Sequence, residues 1–279
     1  MKEAKDLFRF IAKKFESEYE QVTQGPMMSS PGLKYKMKGI IMSSKKLVSV
    51  FLILNLTVFL YAGENEGNIN IIPINHATFI LSVGEKTIYV DPVGGDETFK
   101  GQAKPDIILI TDIHGDHLSL ETVSSVKKES TVIISPQAVY DKLQDGLVLN
   151  NGEIRIIENI QIEAIPMYNL SEDRLKFHPK GRGNGYVITA NKQRIYISGD
   201  TEDIKEMRTL TDIDFAFVCM NLPYTMTVEQ AASAVLEMKP KVVIPYHYRG
   251  KGGLSDMDKF VSLVRENKNI EVQLLNWYD

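Results

Sequence analysis

The residues TDIHGDH (111–117) place two histidines and two aspartates within six consecutive positions. They follow the apolar run ILIT (108–111), which is typical of a buried strand. Gly115 would ease a turn in which alternate side chains converge. Imidazole and carboxylate groups are ligands that Zn²⁺, Mn²⁺ and Fe ions accept in proteins. The stretch therefore predicts a metal site at the end of a strand.

Two further candidate ligands also stand where apolar runs end. IYIS (195–198) leads into Gly199 and Asp200, and VVIP (242–245) leads into Tyr246 and His247. Binding sites in layered α/β folds gather at strand ends. This placement predicts that Asp200 and His247 join the histidines of the first motif.

Composition narrows the classes of partner and ligand. Hydrophobic residues make up 43% and charged residues 24% of 279 residues, which predicts a real core in one large domain or two small ones. The net charge is -4 and the pI is near 5.8, so the composition does not indicate the basic surface that nucleic-acid binding requires. We therefore expect no nucleic-acid partner. The single cysteine, Cys219, excludes an intramolecular disulfide and a thiolate cluster. Any metal must be held by carboxylates and by the five histidines, His76, His114, His117, His178 and His247.

The N-terminal quarter differs from the rest of the chain. Residues 1–41 form an extension in which Leu7, Ile11 and Phe15 have amphipathic helix spacing. Residues 42–66 read as a signal peptide or membrane anchor with a linker, because an uncharged apolar run (47–62) follows two lysines. A start at Met42 would favour a cleaved signal, and a start at Met1 an uncleaved anchor; a buried core segment is the alternative. We expect an exported or membrane-tethered protein rather than a cytoplasmic one.

Residues 67–279 alternate strand and helix patterns, with the hairpin signals VGEK (83–86) and ANKQ (190–193) joining strand pairs. This predicts an α/β or α+β layout with sheets sandwiched by helices. Helices are predicted at Leu120–Lys127, Pro136–Leu143, Val228–Met238 and Asp256–Glu266. Strands are predicted at Phe79–Leu81, Thr87–Val90, Ile107–Thr111, Val132–Ile134, Ile160–Ile165, Tyr186–Thr189, Arg194–Ser198, Phe215–Val218, Val242–Pro245 and Glu271–Leu275.

The order of these motifs resembles the metallo-β-lactamase-fold hydrolase superfamily, from near Ile69 to the C-terminus. Its His-x-His-x-Asp-His signature is matched by Asp112, His114, Asp116 and His117. The resemblance implies that Asp200 in SGDT is the bridging aspartate and His247 the last histidine ligand. It also implies a four-layer αββα sandwich that binds one or two divalent metal ions, with Zn²⁺ the first expectation and Mn²⁺ or Fe the alternatives.

The opening residues are similar to one branch of that superfamily. NHATFIL (75–81) and VDPV (90–93) resemble the first hairpins of ascorbate-phosphate lactonases and N-acylphosphatidylethanolamine phospholipase D. The resemblance implies that His76 and Asp91 lie near the site entrance or beneath the site.

Two positions depart from the family pattern. Asp112 stands in place of the first signature histidine, either as an oxygen ligand that favours Mn²⁺, Fe²⁺ or Mg²⁺, or as a group that orients a histidine from outside the ligand set. The strand before GDT offers Tyr168 and Asn169 but no histidine. His178 is the spare histidine there, as a metal ligand or as a group that contacts substrate or caps the loop.

These comparisons predict two unequal half-sites. The stronger half-site contains Asp116, His117, Asp200 and His247. The weaker contains His114, His178 and Asp200, together with Asp112 as a ligand or as a group that orients a histidine. The family chemistry implies attack of hydroxide on a carbonyl or phosphoryl centre, with Asp116 and His76 as catalytic residues. The cations Lys180, Arg182 and Arg249 favour an anionic substrate. Candidate substrate-binding residues are Tyr168, Asn169, Lys180, Asn221, Tyr224 and Arg249.

The resulting hypothesis is a metal-dependent hydrolase that acts on an ester, lactone or phosphodiester of a small substrate. The alternative is a non-catalytic binding protein, stabilised by metal, whose site degenerated when histidine became Asp112. The sequence does not indicate an oligomeric state.

Overall fold

The computed structural model describes residues 69–278 and the backbone of two short strands, β1 (Tyr35–Met37) and β2 (Ile40–Met42). These two strands form an antiparallel pair and belong to the first of two compact units, Met1–Glu64; the second unit is Asn65–Asp279. The predicted N-terminal helix and the apolar run 47–62 lie outside the described residues. Among the described residues, no helix is both long and apolar enough to cross a membrane.

The first sheet has six strands that run β3 to β8 in chain order. Antiparallel hairpins join β3, β4 and β5, and the remaining strands are parallel. A 3₁₀ turn (Asp96–Phe99) follows β5, and helices α1 (Leu120–Val126) and α2 (Gln137–Leu143) connect the later strands. The strands are β3 (Ile69–Asn75), β4 (Thr78–Val83), β5 (Lys86–Val90), β6 (Ile107–Leu109), β7 (Val132–Ser135) and β8 (Leu147–Val148).

The second sheet has seven strands in the order β17-β14-β13-β12-β11-β10-β9. It repeats the plan of the first sheet, with antiparallel strands β9 to β12 followed by parallel ones. Its strands are β9 (Ile154–Ile157), β10 (Ile160–Met167), β11 (Gly183–Ala190), β12 (Gln193–Ile197), β13 (Phe215–Cys219), β14 (Val242–Tyr246) and β17 (Glu271–Val272); its helices are α3 (Lys205–Arg208), α4 (Val228–Met238) and α5 (Met257–Val264). A small hairpin of β15 (Arg249–Gly250) and β16 (Gly253–Leu254) lies between β14 and α5.

Aromatic side chains fill the interface between the two sheets. Phe79 of β4 stacks on Phe217 of β13 with ring centroids 4.5 Å apart, and Tyr246 and Trp277 meet Phe79 edge-on. A separate apolar cluster, which includes Tyr89, packs the outer face of the first sheet against α1 and α2. The result is the αββα sandwich of the metallo-β-lactamase fold, which confirms the predicted fold class.

All ten predicted strands and four predicted helices are present, although the last strand ends at Val272 rather than Leu275. Strand β3 was missed because Pro73 interrupts its pattern, and an edge strand tolerates a proline that cannot complete a ladder. Strand β9 was also missed. It forms one edge of the seven-stranded sheet, and its Ile154 and Ile156 are exposed instead of alternating with buried residues.

Replacing Phe79 by alanine should lower the free energy of unfolding by about 3–5 kcal/mol, because the ring is fully buried between the sheets and its loss leaves a cavity. The matched control, Ile156→Ala on an exposed edge, should change it by less than about 0.5 kcal/mol. Urea denaturation followed by circular dichroism measures both. Equal urea midpoints for the two variants would contradict the burial of the Phe79 ring between the two sheets.

Candidate metal centre

The signature loop turns tightly after β6. The amides of His117 and Leu118 both donate to the His114 carbonyl, at 3.0 and 2.9 Å. This turn buries Asp112 and His117 completely, while the side chains of His114 and Asp116 stay 42% and 43% exposed. The loop therefore presents two ligand candidates to the interior and two to the mouth of the site.

Asp91 holds His117 from beneath. Its Oδ2 lies 2.8 Å from Nδ1 of His117, and both carboxylate oxygens accept hydrogen bonds from the amide and hydroxyl of Thr111, each at 2.7 Å. Nδ1–H of His117 donates to this carboxylate, which fixes the ring and directs Nε2 at the cluster, where it can bind a metal ion once deprotonated. Asp91 thus lies beneath the site, where the family resemblance put it.

The first half-site brings together Asp116, His117 and His247, whose ligand atoms lie within 4.8 Å of one another. Nε2 of His247 is 3.3 Å from Oδ2 of Asp116 and 3.3 Å from Oδ1 of Asp200. Nε2 of His117 is 3.4 Å from Oδ2 of Asp200. These atoms surround one point that a cation could occupy.

The second half-site brings together Asp112, His114 and His178, again within 4.8 Å. Nε2 of His178 lies 3.4 Å from Oδ2 of Asp200 and 3.8 Å from Oδ2 of Asp112. Nδ1 of His178 lies 3.2 Å from both the Tyr224 carbonyl oxygen and the Asn169 amide nitrogen, so Nδ1 is engaged within the loop and Nε2 is the nitrogen that faces the cluster. The spare histidine of the sequence therefore reaches the cluster from a loop.

Buried atoms without hydrogen-bond partners test whether these residues fit a metal. His117 Nε2 and Asp200 Oδ1 are both buried and lack a hydrogen-bond partner within the part of the chain that the structure describes. Leaving a buried polar atom unsatisfied costs about 1–3 kcal/mol. Both atoms face the cluster of imidazole and carboxylate groups, a donor set that divalent cations accept. The residues therefore fit one or two metal ions.

The same residues form a charged network when no metal is bound. Burial alone would lower the pKa of His247, but the carboxylates of Asp200 and Asp116 raise it to about 9. The pKa of His117 also lies well above its usual value, since Asp200 and Asp91 outweigh the effect of burial. Burial would raise the pKa of Asp200, but the two histidines hold it well below the usual range. The metal-free site therefore contains imidazolium–carboxylate pairs.

Asp112 makes contacts that fit both roles left open by the sequence. Arg182 donates two hydrogen bonds to its carboxylate, from Nε to Oδ1 at 3.2 Å and from Nη2 to Oδ2 at 3.1 Å. Nδ1 of His114 lies 2.5 Å from the same Oδ2. The sequence placed Arg182 in a cationic loop but gave no signal of this pairing, which joins residues 70 positions apart.

His76 lies at the rim beside His247, with ring centroids 5.3 Å apart. The Tyr278 hydroxyl is 3.3 Å from Nδ1 of His76 and accepts the Arg249 amide at 3.2 Å. The Arg249 guanidinium stacks on the Tyr278 ring at 4.0 Å. Tyr278, which the sequence analysis missed, thus connects two candidate site residues.

The candidate substrate-binding residues occupy different positions around this centre. Asn169 is buried against Nδ1 of His178 at 3.2 Å, and Asn221 against Nε2 of His247 at 3.3 Å. Lys180 forms an ion pair with Glu206 at 3.1 Å and a hydrogen bond with the Tyr168 hydroxyl at 3.2 Å. The Tyr224 ring packs on Phe177, whereas Arg249 is exposed. Their roles toward a substrate stay predictions.

A sequence profile of the β-lactamase superfamily domain matches residues 70–247, which span the signature loop, Asp200 and His247. The chain belongs to the metallo-β-lactamase superfamily. A UPF0173 metal-dependent hydrolase of Thermococcus onnurineus is 32% identical over 217 residues, covering 71% of this chain and 92% of that protein.

Solved structures agree with this membership. A protein of Parabacteroides distasonis, described as a metal-dependent hydrolase, is 40% identical with a TM-score of 0.70, covering 76% of this chain and 94% of its own. The metallo hydrolase Igni18 of Ignicoccus hospitalis shares the fold, with 23% identity, a TM-score of 0.65 and coverage of 76% and 96%. This superfamily member is thus a metal-dependent hydrolase, while the likeness to the lactonase and phospholipase branch stays a prediction.

Asp91→Asn should weaken metal binding about 10- to 100-fold, because the amide no longer fixes the tautomer and orientation of His117. The matched control, Asp145→Asn, removes a carboxylate that pairs with Lys127 at the surface and should leave metal affinity unchanged. Zn²⁺ titration against a fluorescent chelator measures both affinities. Equal affinities would show that Asp91 does not orient a ligand.

Metal binding near pH 7.5 should release protons, because His117 and His247 are protonated in the metal-free protein and bind metal only when neutral. Since the raised pKa of His247 is about 9, the apparent metal affinity should increase as the pH rises toward that value. Calorimetric Zn²⁺ titrations in two buffers of different ionisation enthalpy report the proton number. Identical heats in both buffers would contradict the protonated cluster.

Proposed function

We propose that this protein hydrolyses an ester, lactone or phosphodiester of a small anionic substrate, with a divalent metal in each half-site. Zn²⁺ is the first choice of metal, and Mn²⁺ or Fe are alternatives. The observation that carries the proposal is the position of Asp200, whose carboxylate lies 3.3–3.4 Å from Nε2 of His117, His178 and His247. One buried carboxylate is thereby available to both half-sites at once.

The chain's own groups have defined tasks in such a reaction. Metal held there would lower the pKa of a water molecule and stabilise negative charge on the attacked carbonyl or phosphoryl oxygen. Asp116, with its partly exposed carboxylate beside His247, would orient the nucleophile and accept its proton. His76 stands next to this position at the rim and would contact the substrate or its leaving group.

The charges around the mouth support an anionic substrate. Glu206 compensates Lys180, and Asp112 compensates Arg182. For Arg249, no carboxylate within residues 69–278 forms an ion pair with the guanidinium, which stacks on Tyr278 beside His76. Arg249 is therefore the group we expect to receive the substrate's negative charge.

The test uses the Zn²⁺-loaded protein with bis(p-nitrophenyl) phosphate as the anionic probe and with p-nitrophenyl acetate and a γ-lactone as neutral probes. We expect turnover that EDTA abolishes, and a fall of at least about 100-fold in kcat for Asp116→Asn. Arg249→Gln should raise KM about tenfold for the anionic probe only. Lys251→Gln is the matched control, because Lys251 is an exposed cation two positions away. Bound metal without turnover of any probe would favour the non-catalytic alternative.

A further inference from the structure

The pairing of Asp112 with Arg182 has a consequence for the second half-site, on the basis of the two-metal site proposed above. We propose that Asp112 and Arg182 form one charge-neutral unit that replaces the first signature histidine, and that this unit sets the affinity of the second half-site for metal. Where the family signature has a neutral histidine, this chain has the carboxylate of Asp112, and Arg182 cancels the charge of that carboxylate.

Both oxygens of Asp112 accept hydrogen bonds from Arg182 in a bidentate contact. Asp112 is fully buried and the Arg182 side chain is only 19% exposed. Guanidinium keeps its proton at any physiological pH, so the pair carries no net charge. The Oδ2 atom that accepts from Arg182 is also the one that faces His114 at 2.5 Å and His178 at 3.8 Å, so the second half-site meets this carboxylate through an oxygen whose charge Arg182 offsets.

The start of β11 fixes the position of Arg182. Gly183, the next residue, starts β11 against the signature loop: a Cβ there would lie 3.0 Å from the Thr111 carbonyl oxygen and 2.1 Å from Cε of Met167. The Asn184 amide donates to the same Thr111 carbonyl at 2.9 Å. Arg182 Nη2 also donates to the Phe177 carbonyl, next to His178. One guanidinium thus joins the signature loop to the His178 loop.

The two half-sites differ in the charge of their carboxylates and the partners of those carboxylates. The first contains Asp116, whose ionic partners among the described residues are histidines, so no arginine or lysine offsets its charge when those histidines are neutral. The second contains Asp112 cancelled by Arg182 and has no net charge. Asp200 is common to both. A divalent cation is therefore held more weakly in the second half-site, and the affinity there should follow the net charge of the pair.

The experiment compares the wild type with Asp112→His, Arg182→Gln and the double variant, using Zn²⁺ alone as the probe. Mass spectrometry gives metal content, and chelator competition gives the affinity of each Zn²⁺ equivalent. Asp112→His leaves an uncompensated guanidinium and should weaken the second equivalent at least tenfold. Arg182→Gln leaves an uncompensated carboxylate and should strengthen it at least tenfold. The double variant should return to within threefold of the wild type, and the first equivalent should be little changed throughout.

Lys180→Gln is the matched control, because it removes a cation from the same loop that pairs with Glu206 rather than with Asp112. It should leave both affinities unchanged. Arg182→Lys keeps the positive charge without the bidentate contact, so its Zn²⁺ affinities should match those of the wild type. Thermal unfolding shows whether each variant folds, and Arg182→Lys still tests the proposal if Arg182→Gln does not fold.

Three results would overturn the proposal: no recovery in the double variant, a weaker second equivalent in Arg182→Gln, or a wild type that binds a single equivalent. Because the readout is Zn²⁺ binding, a protein that follows the predicted pattern but hydrolyses no probe would reject the proposed function and keep the charge-neutral unit.

Discussion

The centre of this protein depends on one buried carboxylate, that of Asp200. It is 3% exposed and lies within 3.4 Å of imidazole nitrogens from three separate segments of the chain. An isolated buried carboxylate is costly, so it requires positive partners, either imidazolium groups or metal ions. Asp200 follows β12 through Gly199, which adopts φ 60° and at which a Cβ would lie 2.5 Å from Sδ of Met167.

Three residues at this centre have an unfavourable backbone conformation. His76, Asp91 and His247 all have positive φ, at 48°, 45° and 47°. Left-handed conformations of residues other than glycine are unfavourable and persist only where the surroundings enforce them. Here the Thr78 hydroxyl donates to the Asp91 carbonyl at 2.6 Å, and the tight turn between β3 and β4 contains His76. The sheets thus supply the stability that holds three site residues in strained conformations.

Most of the fold and the first half-site could be predicted from local patterns. Apolar runs that end in Asp-His, Gly-Asp and Tyr-His identify strand ends, and the sandwich topology brings such ends to one edge. The Asp112–Arg182 and His76–Tyr278 contacts could not be predicted, because they join residues 70 and 202 positions apart. Whether Asn169 and Asn221 face a cavity or a histidine likewise depends on loop packing, which no periodic pattern encodes.

The two half-sites differ in how the fold supports them. His117 and His247 follow strands of the two sheets, whereas His178 lies on a loop between β10 and β11. That loop is held by Glu202, a buried carboxylate two residues after Asp200.

Glu202 accepts the Ser171 amide at 2.6 Å and the Arg174 guanidinium at 2.6 Å. Burial would raise its pKa, but these partners keep the pKa of Glu202 below its usual value. On its His178 side, the second half-site is therefore held by two arginine–carboxylate pairs, Arg174–Glu202 and Arg182–Asp112, together with the backbone hydrogen bond from the Asn169 amide to the His178 carbonyl. One side-chain pair can change while the other stays, whereas a change of sheet register moves every side chain of a strand. We therefore expect differences in metal content and specificity among relatives with this architecture to arise on the His178 side of Asp200.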